Sequence, residues 1–129
     1  MTIEPDLLYS VLCDDVRRED NGKWIFLGLF ENIGVPAFPT QHGGMVVVNK
    51  WIGGHGHYFQ QTRFVDEDDT VLLESAPIPF ELPSLDASFM AIQAFAGLPL
   101  QKAGKIWVEV SLGGELKRRY PLLIGGVAS

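Results

Sequence analysis

The sequence predicts an all-β protein folded as a two-layer antiparallel β-sandwich of roughly eight strands. Apolar and polar residues alternate near the C-terminus, and short apolar runs elsewhere are bounded by glycine, proline and aspartate. Successive side chains of a strand point to opposite faces, whereas an amphipathic helix repeats every 3.6 residues. No segment shows a convincing helical period, so we expect strands throughout.

The clearest element is a hairpin over residues 105–124. Apolar residues of its first half fall on every second position: Ile106, Val108, Val110 and Leu112. This spacing gives a strand one buried face, and it predicts that Lys105, Glu109 and Ser111 point to water. Gly113 and Gly114 follow, and glycine accepts the positive φ angles that a tight hairpin turn needs.

The register of this hairpin follows from keeping the apolar side chains together. A plain two-residue turn would set the apolar face of one strand beside the polar face of the other. A three-residue loop over residues 113–115, or a bulge just after the turn, removes this conflict. The predicted pairs are Leu112–Leu116, Val108–Tyr120, Ile106–Leu122 and, on the outer face, Glu109–Arg119. Pro121 lacks an N–H and predicts an edge or a bulge nearby.

Five earlier segments are also predicted to be strands: residues 7–13, 24–33, 45–52, 58–65 and 70–74. Residues 24–33 are apolar on both faces, which is typical of a strand covered on both sides or central in a sheet. Gly28 within them indicates a bulge or a close neighbour. Residues 14–23, which contain Asn21-Gly22, are predicted to connect a hairpin, and residues 34–44 to form a crossover loop.

The segment before the C-terminal hairpin is less regular. Pro77, Pro79 and Pro83 remove backbone donors, so a strand through residues 80–82 must be short or at an edge. Residues 84–98 fit either a helix or a buried strand, and we favour the strand because the neighbouring segments are strands. Residues 99–104 are predicted to be a loop.

Length and composition indicate one soluble domain over residues 1–129. The chain has 16 acidic and 10 Lys or Arg residues, for a net charge of -6, so nucleic acid would be repelled. No apolar run is long enough to span a membrane, and Cys13 has no second cysteine to pair with. We therefore expect a cytoplasmic protein with no membrane partner, whose 47% hydrophobic content favours contact with another protein.

The chain offers little catalytic chemistry. His42, His55 and His57 are the only histidines, and they lack a cysteine or carboxylate at ligand spacing, so we predict no metal site and no cofactor. The acidic residues 66–69 are expected to form a solvated turn rather than a calcium site. Cys13 next to Asp14 lies in a negative field that disfavours the thiolate, which predicts a buried structural cysteine. No hydrolase or nucleotide-binding motif is present, and we expect no enzyme.

Four short segments carry a family likeness. They are Leu12-Cys13-Asp14-Asp15-Val16-Arg17, Asn21-Gly22-Lys23, Leu27-Gly28-Leu29-Phe30 and Pro36-Ala37-Phe38-Pro39. With the glycine-led C-terminal hairpin, they resemble a family of small uncharacterised bacterial proteins described only as a domain of unknown function. The resemblance extends over residues 7–124 and implies an immunoglobulin-like β-sandwich, with no activity, substrate or catalytic residue attached. The Gly113-Gly114 turn and the His55-Gly56-His57 segment depart from the family pattern.

Trp107 is the most informative single residue. The predicted register places its ring on the outer face of the hairpin with Glu109 and Arg119, and tryptophan and arginine are enriched at protein interfaces. The ring is either covered by a neighbouring segment of the chain or anchors a partner. Our first hypothesis is thus a non-catalytic protein-interaction module, self-association included, that binds through Trp107, Glu109 and Arg119.

Two alternatives belong to other functional classes. One is a small-ligand or carbohydrate-binding module that uses Trp51, Tyr58 and Trp107 as stacking platforms. The other is a metal-dependent enzyme that uses His42, His55 and His57.

Overall fold

The computed structural model describes residues 2–126, which form eleven strands and no helix, three strands more than predicted. In chain order the strands are β1 Asp6–Cys13, β2 Asp15–Arg18, β3 Trp24–Leu27, β4 Asn32–Val35, β5 Thr40–Ile52, β6 Gly56–Val65, β7 Val71–Glu74, β8 Ile78–Leu82, β9 Ser88–Leu100, β10 Gly104–Leu112 and β11 Glu115–Gly126. The all-β prediction is confirmed. A search of the same residues finds no helix with the length and apolarity that crossing a bilayer requires.

The strands form three sheets, none of which closes on itself. A six-stranded sheet has the order β4-β11-β10-β6-β7, with β8 also paired to β6. A three-stranded sheet has the order β1-β5-β9, and β2 and β3 form a separate two-stranded ribbon. All pairs are antiparallel except β4 and β11, which are parallel, so the wholly antiparallel prediction is wrong at that edge.

Apolar side chains from both larger sheets pack into one cluster. The three-stranded sheet contributes Leu12, Met45, Val47, Phe95, Leu98 and Leu100, and the six-stranded sheet contributes Ile33, Val35, Phe64, Ile106, Val108, Leu122 and Ile124. A second, smaller cluster contains Trp51, Phe80, Leu82, Val110 and Leu112. In that cluster the Phe80 ring stacks on Phe89, with their centroids 4.6 Å apart. The burial of Ile106, Val108 and Val110 confirms which face of the hairpin is apolar.

Four uncharged polar side chains are buried among these apolar groups, and we call them the polar network: Asn49 on β5, Gln60 and Thr62 on β6, and Gln93 on β9. Asn49 Nδ2 donates to Gln60 Oε1 and to Thr62 Oγ1, both at 2.9 Å. Thr62 Oγ1 donates to Gln93 Oε1 at 2.9 Å, and Gln60 Nε2 donates to the same oxygen at 3.2 Å. These bonds join β6 of one sheet to β5 and β9 of the other. A buried polar group without a partner would destabilise the folded state, so the bonds hold these strands together.

A second polar contact joins β1 of the three-stranded sheet to β11 of the six-stranded sheet. The hydroxyl oxygens of Ser10 on β1 and Tyr120 on β11 are 2.7 Å apart. The Tyr120 ring packs against both apolar clusters. Burial raises the pKa of the Tyr120 hydroxyl to about 12, because the charged phenolate would lose its hydration.

The C-terminal hairpin combines a two-residue turn with a bulge. Gly113 and Gly114 have φ angles of 58° and 83°, as a two-residue hairpin turn of this hand requires. Leu112 pairs with Glu115, so the predicted Leu112–Leu116 pair is wrong. A register shift beyond Val110 then absorbs one extra residue. The bulge restores the other predicted pairs: Ile106–Leu122, Val108–Tyr120 and Glu109–Arg119.

Residues 24–33 do not form the single buried strand that their composition predicts. They divide into β3 and the start of β4, with Gly28 between them at φ +70°. A Cβ on Gly28 would overlap the Asp14 carboxylate, which confirms the predicted close neighbour. Trp24 and Leu29 are exposed, and β3 pairs with β2, a strand in the segment predicted to be a connection.

Other boundaries shift by a few residues. β5 begins at Thr40, so it takes in part of the predicted crossover loop. β9 confirms the strand prediction for most of residues 84–98 and continues into the predicted loop as far as Leu100. β8 is a short strand and, among the strands described, pairs with β6 alone, as its prolines predict.

Replacing the hydroxyl in the polar network tests its contribution to stability. Thr62→Val keeps the shape of the side chain but leaves Asn49 and Gln93 each without one hydrogen-bond partner. We expect the free energy of unfolding to fall by about 1–3 kcal/mol, measured by urea denaturation. Thr40→Val, the same change outside the network, is the control and should shift it by less than about 0.5 kcal/mol. Equal effects of the two variants would contradict this role.

The raised pKa of Tyr120 predicts a loss of stability in alkaline solution. The folded-state pKa lies above the ordinary value of 10.0, so this stabilisation is complete below about pH 10 and is lost as the pH rises towards 12. Tyr120→Phe removes the titrating group. Urea denaturation of both proteins should show that their difference in unfolding free energy changes by up to about 3 kcal/mol over this range. A difference that stays constant with pH would refute the assignment.

Candidate functional site

The outer face of the C-terminal hairpin carries a tryptophan in contact with two cations. Trp107 on β10 is half-buried, and Arg119 Cζ on β11 lies 4.1 Å from the centroid of its ring. Lys105 Nζ lies 5.0 Å from the same centroid. Both distances are within the range of cation–π attraction. The two cations therefore cover part of the ring and leave part of it accessible.

Glu109 lies beside this tryptophan but is not the solvated residue that alternation predicts. Only 7% of its surface is exposed. Its Oε1 atom accepts a hydrogen bond from Arg63 Nε at 2.6 Å, and its Oε2 atom lies 3.3 Å from Arg119 Nε. Two guanidinium groups thus cover the carboxylate from neighbouring strands and supply the charge pairing that its burial requires.

Charges alternate in sign across four neighbouring strands on this face. Strand register places Glu74 of β7, Arg63 of β6, Glu109 of β10 and Arg119 of β11 side by side, and we call these four residues the charged row. Directly opposed residues of an antiparallel sheet share a face, so each cation lies next to a carboxylate. Asp69, in the turn before β7, also lies 3.7 Å from Arg119 Nη2. Glu109 contacts both guanidinium groups of the row and limits how far they can move.

A cavity of about 120 Å³ lies next to the charged row. Gln61, Ser111 and Leu116 line it together with residues of the row. Gln61 Nε2 donates to Glu74 Oε1 at 2.9 Å, and the Leu116 side chain is exposed. The face therefore offers an aromatic ring, a row of alternating charge and an adjacent apolar spot.

The structure brings the three predicted site residues together. Trp107 contacts Arg119, and Arg119 contacts Glu109. Arg63 was not predicted as a site residue, and Lys105 was predicted only to point to water. Alternation along residues 58–65 places Arg63 and Phe64 on opposite faces of the strand. Only the pairing of β6 with β10 brings Arg63 next to Glu109. That pairing joins distant segments, and local pattern does not predict it.

The histidines have separate environments. The rings of His42 and Phe30 meet edge to face, with centroids 5.9 Å apart, and His57 Nε2 lies 3.2 Å from Glu81 Oε2. The backbone of His55 forms a bridge with Ile3. Within residues 2–126 no group of three or more histidine, cysteine or acidic side chains is placed to hold a metal ion.

The three aromatic residues considered as stacking platforms do not form one surface. Trp51 is 0% exposed and belongs to the smaller apolar cluster, so a ligand cannot reach it in this conformation. The Tyr58 hydroxyl, which has one hydrogen to donate, lies within hydrogen-bond distance of the backbone oxygens of Ile3 and His55. Of the three, only Trp107 lies on the face described above.

The remaining candidate groups have structural roles. Asp66 Oδ1 accepts hydrogen bonds from the backbone N–H groups of Asp68 and Thr70, which stabilises the predicted turn. Cys13 is fully buried, as predicted. Burial and the nearby charge of Asp14 raise the pKa of its thiol, so the reactive thiolate is disfavoured.

Comparisons with known proteins confirm one part of the resemblance, the match to a family of unknown function. No curated protein matches the chain. The model of a family of unknown function, DUF6941, matches residues 8–125, which is nearly the whole chain. By this match the chain belongs to the DUF6941 family.

Proposed function

We propose that this protein is a non-catalytic interaction module that binds another protein through the outer face of its C-terminal hairpin. The proposed contact residues are Trp107, Glu109 and Arg119, with Lys105 and Arg63 at their margins. The observation that carries the proposal is the contact between Trp107 and two cations, one of which also pairs with the buried Glu109.

This arrangement favours binding because its side chains are already ordered. Association normally costs conformational entropy when long side chains such as arginine become fixed. Here Arg119 contacts the Trp107 ring, Glu109 and Asp69, and Arg63 contacts Glu109. Much of that entropy has therefore been lost before a partner arrives. Tryptophan and arginine are also the residue types that most often dominate binding energy at interfaces.

The charges around the ring indicate the kind of partner. The two charged groups that lie over the Trp107 ring are both cationic, although the chain as a whole has a net charge of -6. A partner residue that packs on the ring therefore meets Lys105 and Arg119. We infer a protein partner that presents a flat apolar group flanked by carboxylates.

A non-catalytic role agrees with the state of the one cysteine. The Cys13 thiol is buried and its raised pKa disfavours the nucleophilic form. The free, buried thiol also supports our proposal of a reducing compartment, the cytoplasm. We further propose that the two larger sheets are the layers of an immunoglobulin-like β-sandwich, since side chains from both form one apolar cluster.

The ordering of this face can be tested through Glu109. Glu109→Gln removes the charge that holds Arg63 and Arg119, and we expect the free energy of unfolding to fall by about 1 kcal/mol in urea denaturation. The loss is modest because water can hydrate both arginines, which are partly exposed. Asp15→Asn, which removes an exposed pair with Arg17, is the control and should have a smaller effect. Equal effects would contradict an ordered row.

Binding itself can be tested through Trp107. Proteins captured from an extract of the source cells by the wild type should be absent with Trp107→Ala, since truncation removes the central anchor. For one purified partner we expect the dissociation constant to rise at least about tenfold, measured by calorimetry. Lys105→Glu should also weaken binding, and more strongly at low salt.

Leu85→Ala is the matched control for this experiment. Leu85 is exposed and lies between β8 and β9, outside the hairpin strands, so its truncation should leave the affinity unchanged. The same proteins captured with equal affinity by the wild type and by Trp107→Ala would refute the proposed surface.

A further inference from the structure

We propose that two copies of this chain pair through the free edge of β9, antiparallel and related by a two-fold axis. This interface is separate from the hairpin face and does not depend on the function proposed for it. It would join the two three-stranded sheets into one continuous six-stranded sheet.

β9 is a long edge strand. It ends the sheet order β1-β5-β9 and runs for thirteen residues, Ser88–Leu100, with β5 as its only ladder partner among residues 2–126. One edge of its backbone therefore presents N–H and C=O groups that no other described strand pairs. Such an edge is a template for a further strand unless the sequence protects it.

The sequence does not protect this edge. Ser88–Leu100 contains no charged residue and only one proline, Pro99, near its end. The other edge strands of the two larger sheets carry the usual protection. β8 contains Pro79 and Glu81, β7 and β4 are only four residues long, and β1 has an irregular register between Leu7 and Tyr9. Among the described strands β9 is thus the long, regular edge without a charge.

The two-fold self-complementarity of the edge favours a second copy as the occupant, and the absence of charge on β9 permits its approach. Two molecules with a net charge of -6 repel each other over most of their surfaces. Along β9 they can approach without opposing like charges. An antiparallel edge is also self-complementary under a two-fold axis, because each strand then presents to its copy the same pattern that it receives.

The side chains that point away from the core limit the register. Ile92 is 38% exposed, and Ala94 and Ala96 on the same face are also exposed. A two-fold axis perpendicular to the sheet keeps outward side chains opposite outward side chains. With the axis at Ile92, that residue faces Ile92 of the second copy, and Met90 faces Ala94. The positive φ of Gly97 and the missing N–H of Pro99 place the end of pairing near Ala96.

Sedimentation over a series of protein concentrations tests this pairing with one added charge. We expect a reversible dimer for the wild type. Ile92→Lys should raise its dissociation constant at least about tenfold, because the new lysine lies opposite its own copy. Leu85→Lys adds the same charge at an exposed apolar site outside the strand, and it should leave dimerisation near the wild-type level. Circular dichroism verifies that each variant is folded.

A disulfide test remains available if Ile92→Lys does not fold. In a Cys13→Ala background, Ile92→Cys should form a covalent dimer on mild oxidation, whereas Leu85→Cys should not. A wild type that remains monomeric, or equal behaviour of the two cysteine variants, would overturn the proposal.

The same measurements distinguish a dimer that forms through β9 from one that forms through the hairpin face. Dimerisation through β9 should be unchanged by Trp107→Ala and should strengthen with salt, because salt screens the repulsion between the acidic copies. A dimer that is lost in Trp107→Ala and retained in Ile92→Lys would refute β9 pairing and assign self-association to the hairpin.

Discussion

The hydrogen bonds among Asn49, Gln60, Thr62 and Gln93 are the constraint on which the rest of this structure depends. These groups are buried in the apolar interior, where each lost bond costs more than an equivalent bond at the surface. Their mutual hydrogen bonds form together only when β6 lies in one position relative to β5 and β9, although Asn49 Oδ1 has no partner among the described residues. Apolar packing alone would tolerate small shifts between the sheets, whereas directional bonds do not.

This interior constraint also determines the outer face of the six-stranded sheet, because β6 contributes side chains to both faces of that sheet. Thr62 points inward into the polar network, and Arg63, the next residue, points outward into the charged row. A slip of one residue would exchange the two faces and leave the arginine buried without a partner. On the outer face, Arg63 of β6 pairs with Glu109 of β10. On the next strand, β11, Arg119 covers the Trp107 ring. The candidate surface is therefore fixed by contacts on the opposite side of its sheet.

Local pattern was sufficient to predict the strand class, the apolar face of the C-terminal hairpin and most of its register. It failed where distant segments decide the outcome. Glu109 looks solvated from its own strand, and its burial follows only from the approach of Arg63 on β6. Trp24 looks buried by composition, yet the backbone conformation at Gly28 diverts its segment into an outer ribbon. Asn49 and Gln93 lie on the inner face of their sheet, although their polarity alone would assign them to the surface.

Native-state hydrogen exchange, followed by NMR, tests the central claim most directly. If the polar network holds the sheets in register, the backbone amides of β6 and its neighbour β10 exchange only when the whole domain unfolds. Their protection should then equal the free energy of unfolding measured by denaturation. If these amides instead exchange through local opening, their protection lies well below the free energy of unfolding. That result would contradict the account and show that the network does not control the candidate surface.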